Sequence, residues 1–250
     1  RPLVPAIMEG TFRSPNLIFN GALLRQTSHI DFGAPNPLAF VQKVKYFDGQ
    51  CSHEIAYKQF VLPDTIGVAF DGKRLLADEK DTLYNLNHSP CANFLGASTL
   101  VITRDNKLII GKQAGFSKAN KGRFAPSGSG SVDYADIKKA EKYYGCDKEG
   151  AQPLCFNQIL TYAMEREFCE ECNYSLSLAQ TRMRSALIGY VRLLERGGKP
   201  DYFGLSYLDD DIKNIQKDIK KSEYGLVGRM VILHFDDVKD IPQLLEDFCK

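Results

Sequence analysis

The sequence predicts an α+β fold, a mixed sheet flanked by helices that follows a smaller, β-rich N-terminal module. Three observations predict it. The first ~95 residues hold short β-prone runs separated by turn signals. From Ala97 onward, strand-like and helix-like segments alternate along the chain. The 250 residues are 44% hydrophobic and 25% charged, enough core for one large domain or for an ordinary domain with a smaller partner.

In the N-terminal module, residues 1–95, Leu38 to Tyr46 (LAFVQKVKY) and Ile66 to Phe70 (IGVAF) are β-prone. Asp71-Gly72 is a turn dipeptide, so Lys73 to Leu76 is expected to pair back as a hairpin. Asn87-His88-Ser89-Pro90 reads as the connector to the second part, residues 96–250.

That part opens on a strand, Ser98 to Arg104, a turn at Asp105-Asn106, and a second strand, Lys107 to Lys112. A loop rich in Gly, Ser and Asn runs to Gly130, and a polar stretch continues to about Pro153. A helix is expected from about Asn157 to Cys172. Ala186 to Leu194 and Tyr202 to Leu208 read as strands around a turn at Gly197-Gly198-Lys199-Pro200. Asp209 to Lys221 reads as a polar helix whose acidic start suits the positive end of its dipole. Met230 to Phe235 is an apolar strand, and Val238 to Cys249 a closing helix with Pro242 near its start.

Charge and composition exclude some classes. Lys+Arg is 32 against Asp+Glu 31, so no excess of positive charge calls for nucleic acid or an anionic membrane. No apolar run approaches the roughly 20 residues that span a bilayer. Seven scattered Cys, an odd number, argue against a disulfide framework and for a reducing compartment, the cytoplasm.

The most informative segment is Leu160 to Tyr174, LTYAMEREFCEECNY. At about 100° per residue, Glu167, Glu170 and Glu171 fall within an arc of roughly 100° on a helix. Gathered carboxylates repel unless something positive sits among them, and a hard divalent cation takes oxygen ligands and phosphate oxygens together. Leu160, Met164, Phe168 and Cys172 make an apolar ridge at i+4 spacing, and Glu171 falls inside it. A carboxylate beside a core-facing ridge needs compensation by Arg or metal. Spacing alone favours the plainer reading, a solvated face, because such charge-rich runs are common on exposed helices.

The run Arg166-Glu167-Phe168-Cys169-Glu170-Glu171-Cys172-Asn173-Tyr174 resembles the core of the Nudix box: Arg-Glu-apolar-any-Glu-Glu-any-Gly-apolar. Six of its seven specified positions match. Asn173 replaces Gly, and Asn also tolerates the left-handed helix cap. The hairpin Ser98 to Lys112, the turn Phe124-Ala125-Pro126-Ser127-Gly128 and the segment Glu195 to Phe203 resemble other parts of the family's pattern. The resemblance covers about Ala97 to the C-terminus.

The resemblance implies a Nudix-type α/β/α sandwich with a mixed sheet. It also implies a Mg2+-dependent hydrolase (Mn2+ serving as well) that cleaves the diphosphate of a nucleoside diphosphate linked to another group, a nucleotide sugar for example. Glu167, Glu170 and Glu171 are its expected metal ligands, with Arg166 orienting them by charge-assisted hydrogen bonds. Arg123, Lys112 and Gly128 are the expected substrate contacts, and Glu195 and Asp201 are candidate bases. The partner is a nucleotide-type small molecule, not nucleic acid or membrane.

Two departures keep a rival open. Counting back from Arg166, Gln158 and Gln152 stand where the full box has Glu and Gly. Gly128 lies 38 residues before Arg166, so about 24 residues, roughly Asp133 to Phe156, read as an insertion. The insertion holds Asp133, Asp136 and Glu141 as substitute acids, or else forms a lid or specificity loop. These departures favour a catalytically silent, ligand-binding relative; the intact Arg-Glu and Glu-Glu pairs oppose it.

Cys169 and Cys172 form a C-x-x-C, but inside a helix they read as small packing residues. A zinc site would need Cys146 and Cys155 as well, at a spacing unlike a knuckle. Tyr143, Tyr144 and Phe203 suit either base stacking or packing.

Overall fold

The computed structural model of the chain describes residues 4–12, 19–31, 34, 38–61, 67–113, 124–219 and 227–234. These residues form an α+β architecture with a mixed sheet and six α-helices. The chain divides into two units: Arg1–Gly96 with Ser131–Lys138 and Tyr190–Asp201, and Ala97–Gly130 with Lys139–Gly189 and Tyr202–Lys250. Among the described residues no helix is long and apolar enough to cross a membrane.

The first unit opens with α1 (Val4–Phe12), then β1 (Ala22–Gln26), β2 (Val41–Lys45), α2 (Tyr46–Gln50), β3 (Gln59–Val61) and β4 (Val68–Asp71). β1 and β2 form an antiparallel ribbon in which Ala22 faces Lys45. Leu23, Ala92 and Phe94 pack beneath it with Val44 and Tyr46. The segment around Val132 is stitched in by backbone bonds, from Leu24 N–H to Val132 O (2.9 Å) and from Val132 N–H to Leu95 O (3.0 Å).

The expected hairpin through Asp71-Gly72 does not form. β4 pairs instead with the earlier β3, Phe60 opposite Phe70, and Gly72–Leu75 is a 3-10 turn. The reason is local. Asp71 accepts the Lys73 N–H at 2.9 Å, capping the turn with a donor that a returning strand would have used. Gly72 serves close approach, since a Cβ there would sit 1.8 Å from the Ile55 carbonyl oxygen.

The second unit carries most of a seven-stranded sheet of β5 (Gly96–Thr103), β6 (Lys107–Gln113), β7 (Phe124–Ala125), β8 (Gly128–Ser131), β9 (Met183–Leu193), β10 (Lys199–Leu208) and β11 (Val227–His234). The order is β11-β6-β5-β10-β9, with β7 on β6 and β8 on β5. Its helices are α3 (Asp136–Tyr144), α4 (Phe156–Cys172), α5 (Leu176–Arg182) and α6 (Ile212–Ile219). The β5–β6 hairpin turns at Asn106, which takes a left-handed φ of 55°. Val101 faces Ile109 across it, both fully buried. The core continues through Phe168, Cys172, Leu208 and Ile215, and each large side chain there stabilises by about 1.5–3 kcal/mol.

The β9–β10 hairpin closes through left-handed Gly197 and Gly198, whose amides reach Leu194 O and Leu193 O. Lys199 and Pro200, expected in that turn, already belong to β10. α1, α2, α3, α5, β1 and β3 have no counterpart among the expected elements, and β7 and β8 lie where a loop was expected. The helix expected at 238–249 lies outside the described residues.

Candidate active site

The carboxylates stand on α4, whose ends are fixed by its own sequence. Gln158 reaches back and accepts the Cys155 N–H at 2.9 Å. Asn173 closes the helix with φ 53°, the left-handed cap that usually calls for Gly. Leu160, Met164, Phe168 and Cys172 are all fully buried, so the i+4 ridge faces the core.

β8 runs close against this helix at two glycines, and at Gly128 the helix backbone itself leaves no room for a side chain. A Cβ on Gly128 would sit 2.4 Å from the Phe168 backbone nitrogen, and one on Gly130 would sit 2.1 Å from the Glu167 carboxyl carbon. Gly128 is buried, and its Cα faces the helix backbone.

Arg166 joins two of the three carboxylates. Its Nη2 lies 2.8 Å from Glu167 Oε1 and its Nη1 3.1 Å from Glu170 Oε2. The Arg166 side chain is 8% exposed, that of Glu167 14%, and that of Glu170 56%. Glu171 differs from both. The Ser129 backbone N–H bonds to its carboxyl, but Oε2 is buried and has no hydrogen-bond partner among the described residues. Burial first, and then the charge of Glu167, pushes the Glu171 pKa up to about 8.

The donor set has the chemistry that a hard divalent cation takes. The groups are hard carboxylate oxygens, one is buried and unpaired, and its neighbour adds like charge that a cation would offset. Among the described residues, no group of three or more His, Cys, Asp or Glu side chains is placed so that it could hold a metal ion.

The other expected site residues are distributed as follows. Arg123 and the side chain of Lys112 lie outside the described residues. Glu195 is exposed in the 3-10 turn Leu194–Arg196 of the first unit. Asp201, also in the first unit, accepts from the buried Lys199 Nζ at 3.2 Å. Asp136 holds the turn before α3 by accepting the Asp133 N–H at 2.9 Å. Cys169 and Cys172 pack into the core, where burial pushes the Cys169 thiol up to about 12 and the Cys172 thiol upward too.

A second feature escaped sequence reasoning. Between α3, α4, α5 and β9 lies a cleft of about 400 Å3. At its base Glu165, 3% exposed, accepts from the Tyr143 hydroxyl at 2.6 Å and the Ser185 hydroxyl at 2.7 Å. Ser185 bonds in turn to Ser206, and Ser206 to Thr99, each at 2.7 Å. Burial raises the Glu165 pKa, while the two hydroxyls and Arg184 act against that rise. The available signal was a polar ridge, Gln158-Thr161-Glu165 at helical spacing, on a helix otherwise largely buried.

Comparison of the sequence with protein-family models gives no match, and comparison with curated proteins gives none. Among solved structures, DR0079 from Deinococcus radiodurans superposes with a TM-score of 0.35 at 11% identity, over 68% of this chain and 87% of that one.

Proposed function

We propose that the chain is a Nudix-type, Mg2+-dependent hydrolase with an α/β/α sandwich, acting on a nucleoside diphosphate joined to another group. The observation that carries this reading is the buried, unpaired Glu171 oxygen beside Glu167, on a helix that matches the Nudix-box core. Glu171 and Glu167 would hold the cation, and Glu170, more exposed, would complete its carboxylate set. Arg166 ties Glu167 and Glu170 to one another through its two terminal nitrogens, which limits how far either carboxylate swings.

Mg2+ or Mn2+, when bound, supplies positive charge against the phosphate oxygens as negative charge develops there. In the reaction, water adds to one phosphorus, the bridging P–O bond breaks, and two phosphate-bearing products and a proton leave. Arg123 and Lys112 are the proposed phosphate contacts, because cations complement the diphosphate.

The test is a panel of nucleotide sugars, dinucleotides and nucleoside triphosphates with Mg2+, run on the wild type and on Glu170→Gln and Glu171→Gln. The wild type is expected to cleave at least one class, and each variant to lose at least about 100-fold in kcat/KM, roughly 2.7 kcal/mol of transition-state stabilisation. Variants that match the wild type on every substrate cleaved overturn the assignment.

A catalytically silent ligand-binding protein is the second reading. Gln158, at the position of the missing box Glu, spends its side chain on capping α4. Nucleotide binding without turnover, in the same panel, selects that reading.

A further inference from the structure

The cleft at Glu165 is separate from the carboxylates of the proposed metal site. At about 100° per residue, Glu165 leaves α4 roughly 160° away from Glu167. Its lining holds one acid and one base, Glu165 and Arg184, and is otherwise uncharged. The acid is at the base, buried and held by hydroxyls on either side. The base stands exposed on β9, and among the described residues it forms no ion pair.

This arrangement defines a ligand. Each Glu165 oxygen accepts one hydrogen bond in the protein, and a carboxylate oxygen has room for a second donor. A buried carboxylate gains from a partner of opposite sign, and among the described residues no cation lies within ion-pair distance of Glu165, Arg184 acting on it only from farther away. A ligand ammonium satisfies both conditions. At the mouth, the Arg184 guanidinium presents a fork that matches a phosphate or carboxylate. The walls add hydroxyls from Tyr144 and Thr161, themselves 2.9 Å apart, which suit a hydroxyl-bearing frame. The volume, about 400 Å3, lies within the range of small-molecule sites.

We propose that this cleft is a binding site for a small zwitterion, its ammonium on Glu165 and its acidic group on Arg184. The proposal rests on these residues alone and stands or falls independently of the hydrolase reading.

Two matched ligand sets test it by calorimetry on the whole chain. The first is glucosamine 6-phosphate, glucosamine, glucose 6-phosphate and glucose. The second is phosphoethanolamine, ethanolamine and ethyl phosphate. In at least one set the zwitterion is expected to bind tenfold or more tightly than either singly charged relative. Glu165→Gln is expected to abolish the advantage of the amine while keeping that of the phosphate, and Arg184→Gln the reverse.

Equal binding of the amine and hydroxyl members overturns the proposal, as does an amine preference that survives in Glu165→Gln. Absence of binding in both sets at millimolar concentration overturns it too. The wild-type comparison needs no variant, so a poorly folding Glu165→Gln still leaves a decisive result.

Discussion

A methyl group on Gly130 would fall 2.1 Å from the carboxyl carbon of Glu167. The strand therefore sets where that carboxylate sits. A clash with the far end of a flexible side chain is relieved by moving the side chain. Gly130→Ala is expected to cost less than about 1 kcal/mol of stability, yet to weaken Mg2+ binding at least tenfold. At Gly128 the clash is with the Phe168 backbone at 2.4 Å, which cannot swing aside. Gly128→Ala is expected to cost about 3 kcal/mol. Denaturant melts beside Mg2+ titrations separate the two, and equal melts for both variants would contradict this placement.

Glu171 gives a prediction in pH. In metal-stripped protein its pKa is about 8, raised by burial and by Glu167, against an ordinary value of 4.5. Below pH 4.5 both folded and unfolded chains hold the proton, and the shift costs nothing. As pH rises towards 8, the unfolded chain releases its proton first, so the folded state loses stability. Glu171→Gln removes this loss. With EDTA it is expected to melt near the wild type at pH 4.5 and to be more stable at pH 9, by on the order of a few kcal/mol. Mg2+ is expected to raise the wild-type melting temperature at pH 8 far more than the variant's. A pH-independent offset would count against it.

Arg166 bridges Glu167 and Glu170 as a fork, and an ammonium cannot reproduce that geometry. Arg166→Lys is expected to keep the fold and lower hydrolysis about 10- to 100-fold. Arg166→Met leaves the mostly buried Glu167 without this partner and is expected to cost about 3 kcal/mol as well. Steady-state kinetics and chemical denaturation check both.

These expectations began with one legible helix. The α4 ridge, its left-handed Asn173 end and its carboxylate face were readable because helical period and cap chemistry are local. The β5–β6 hairpin was readable for the same reason, its strands flanking a turn dipeptide. α3 was not, because its sequence DIKKAEKYY presents only Ala140 and Asp136 as fully buried side chains. The fate of Gly72 was hidden too: the carbonyl it must accommodate belongs to Ile55, 17 positions earlier. Glu165 went unnoticed because its partners, Tyr143 and Ser185, come from other elements about 20 residues away on either side.

Asp201 bears on stability. Its carboxylate faces Lys199, 3% exposed, whose pKa burial lowers. Asp201→Ala leaves an ammonium in the interior without that partner and is expected to cost about 3–5 kcal/mol. Asp201→Ala paired with Lys199→Met is expected to recover most of that. Urea melts of the three variants decide it, and a double variant no better than the single would show the pair is not what matters.

The first unit owns chain from three places, 1–96, 131–138 and 190–201. Cutting the polypeptide after Gly96 would take away Val132, the partner of both Leu24 and Leu95 in the backbone ladder, and Arg196, which pairs with Glu54. The amino-terminal portion is thus no detachable cassette that a gene could shed or lend to another protein. Splitting the gene after Gly96 should yield fragments that fold only when expressed together.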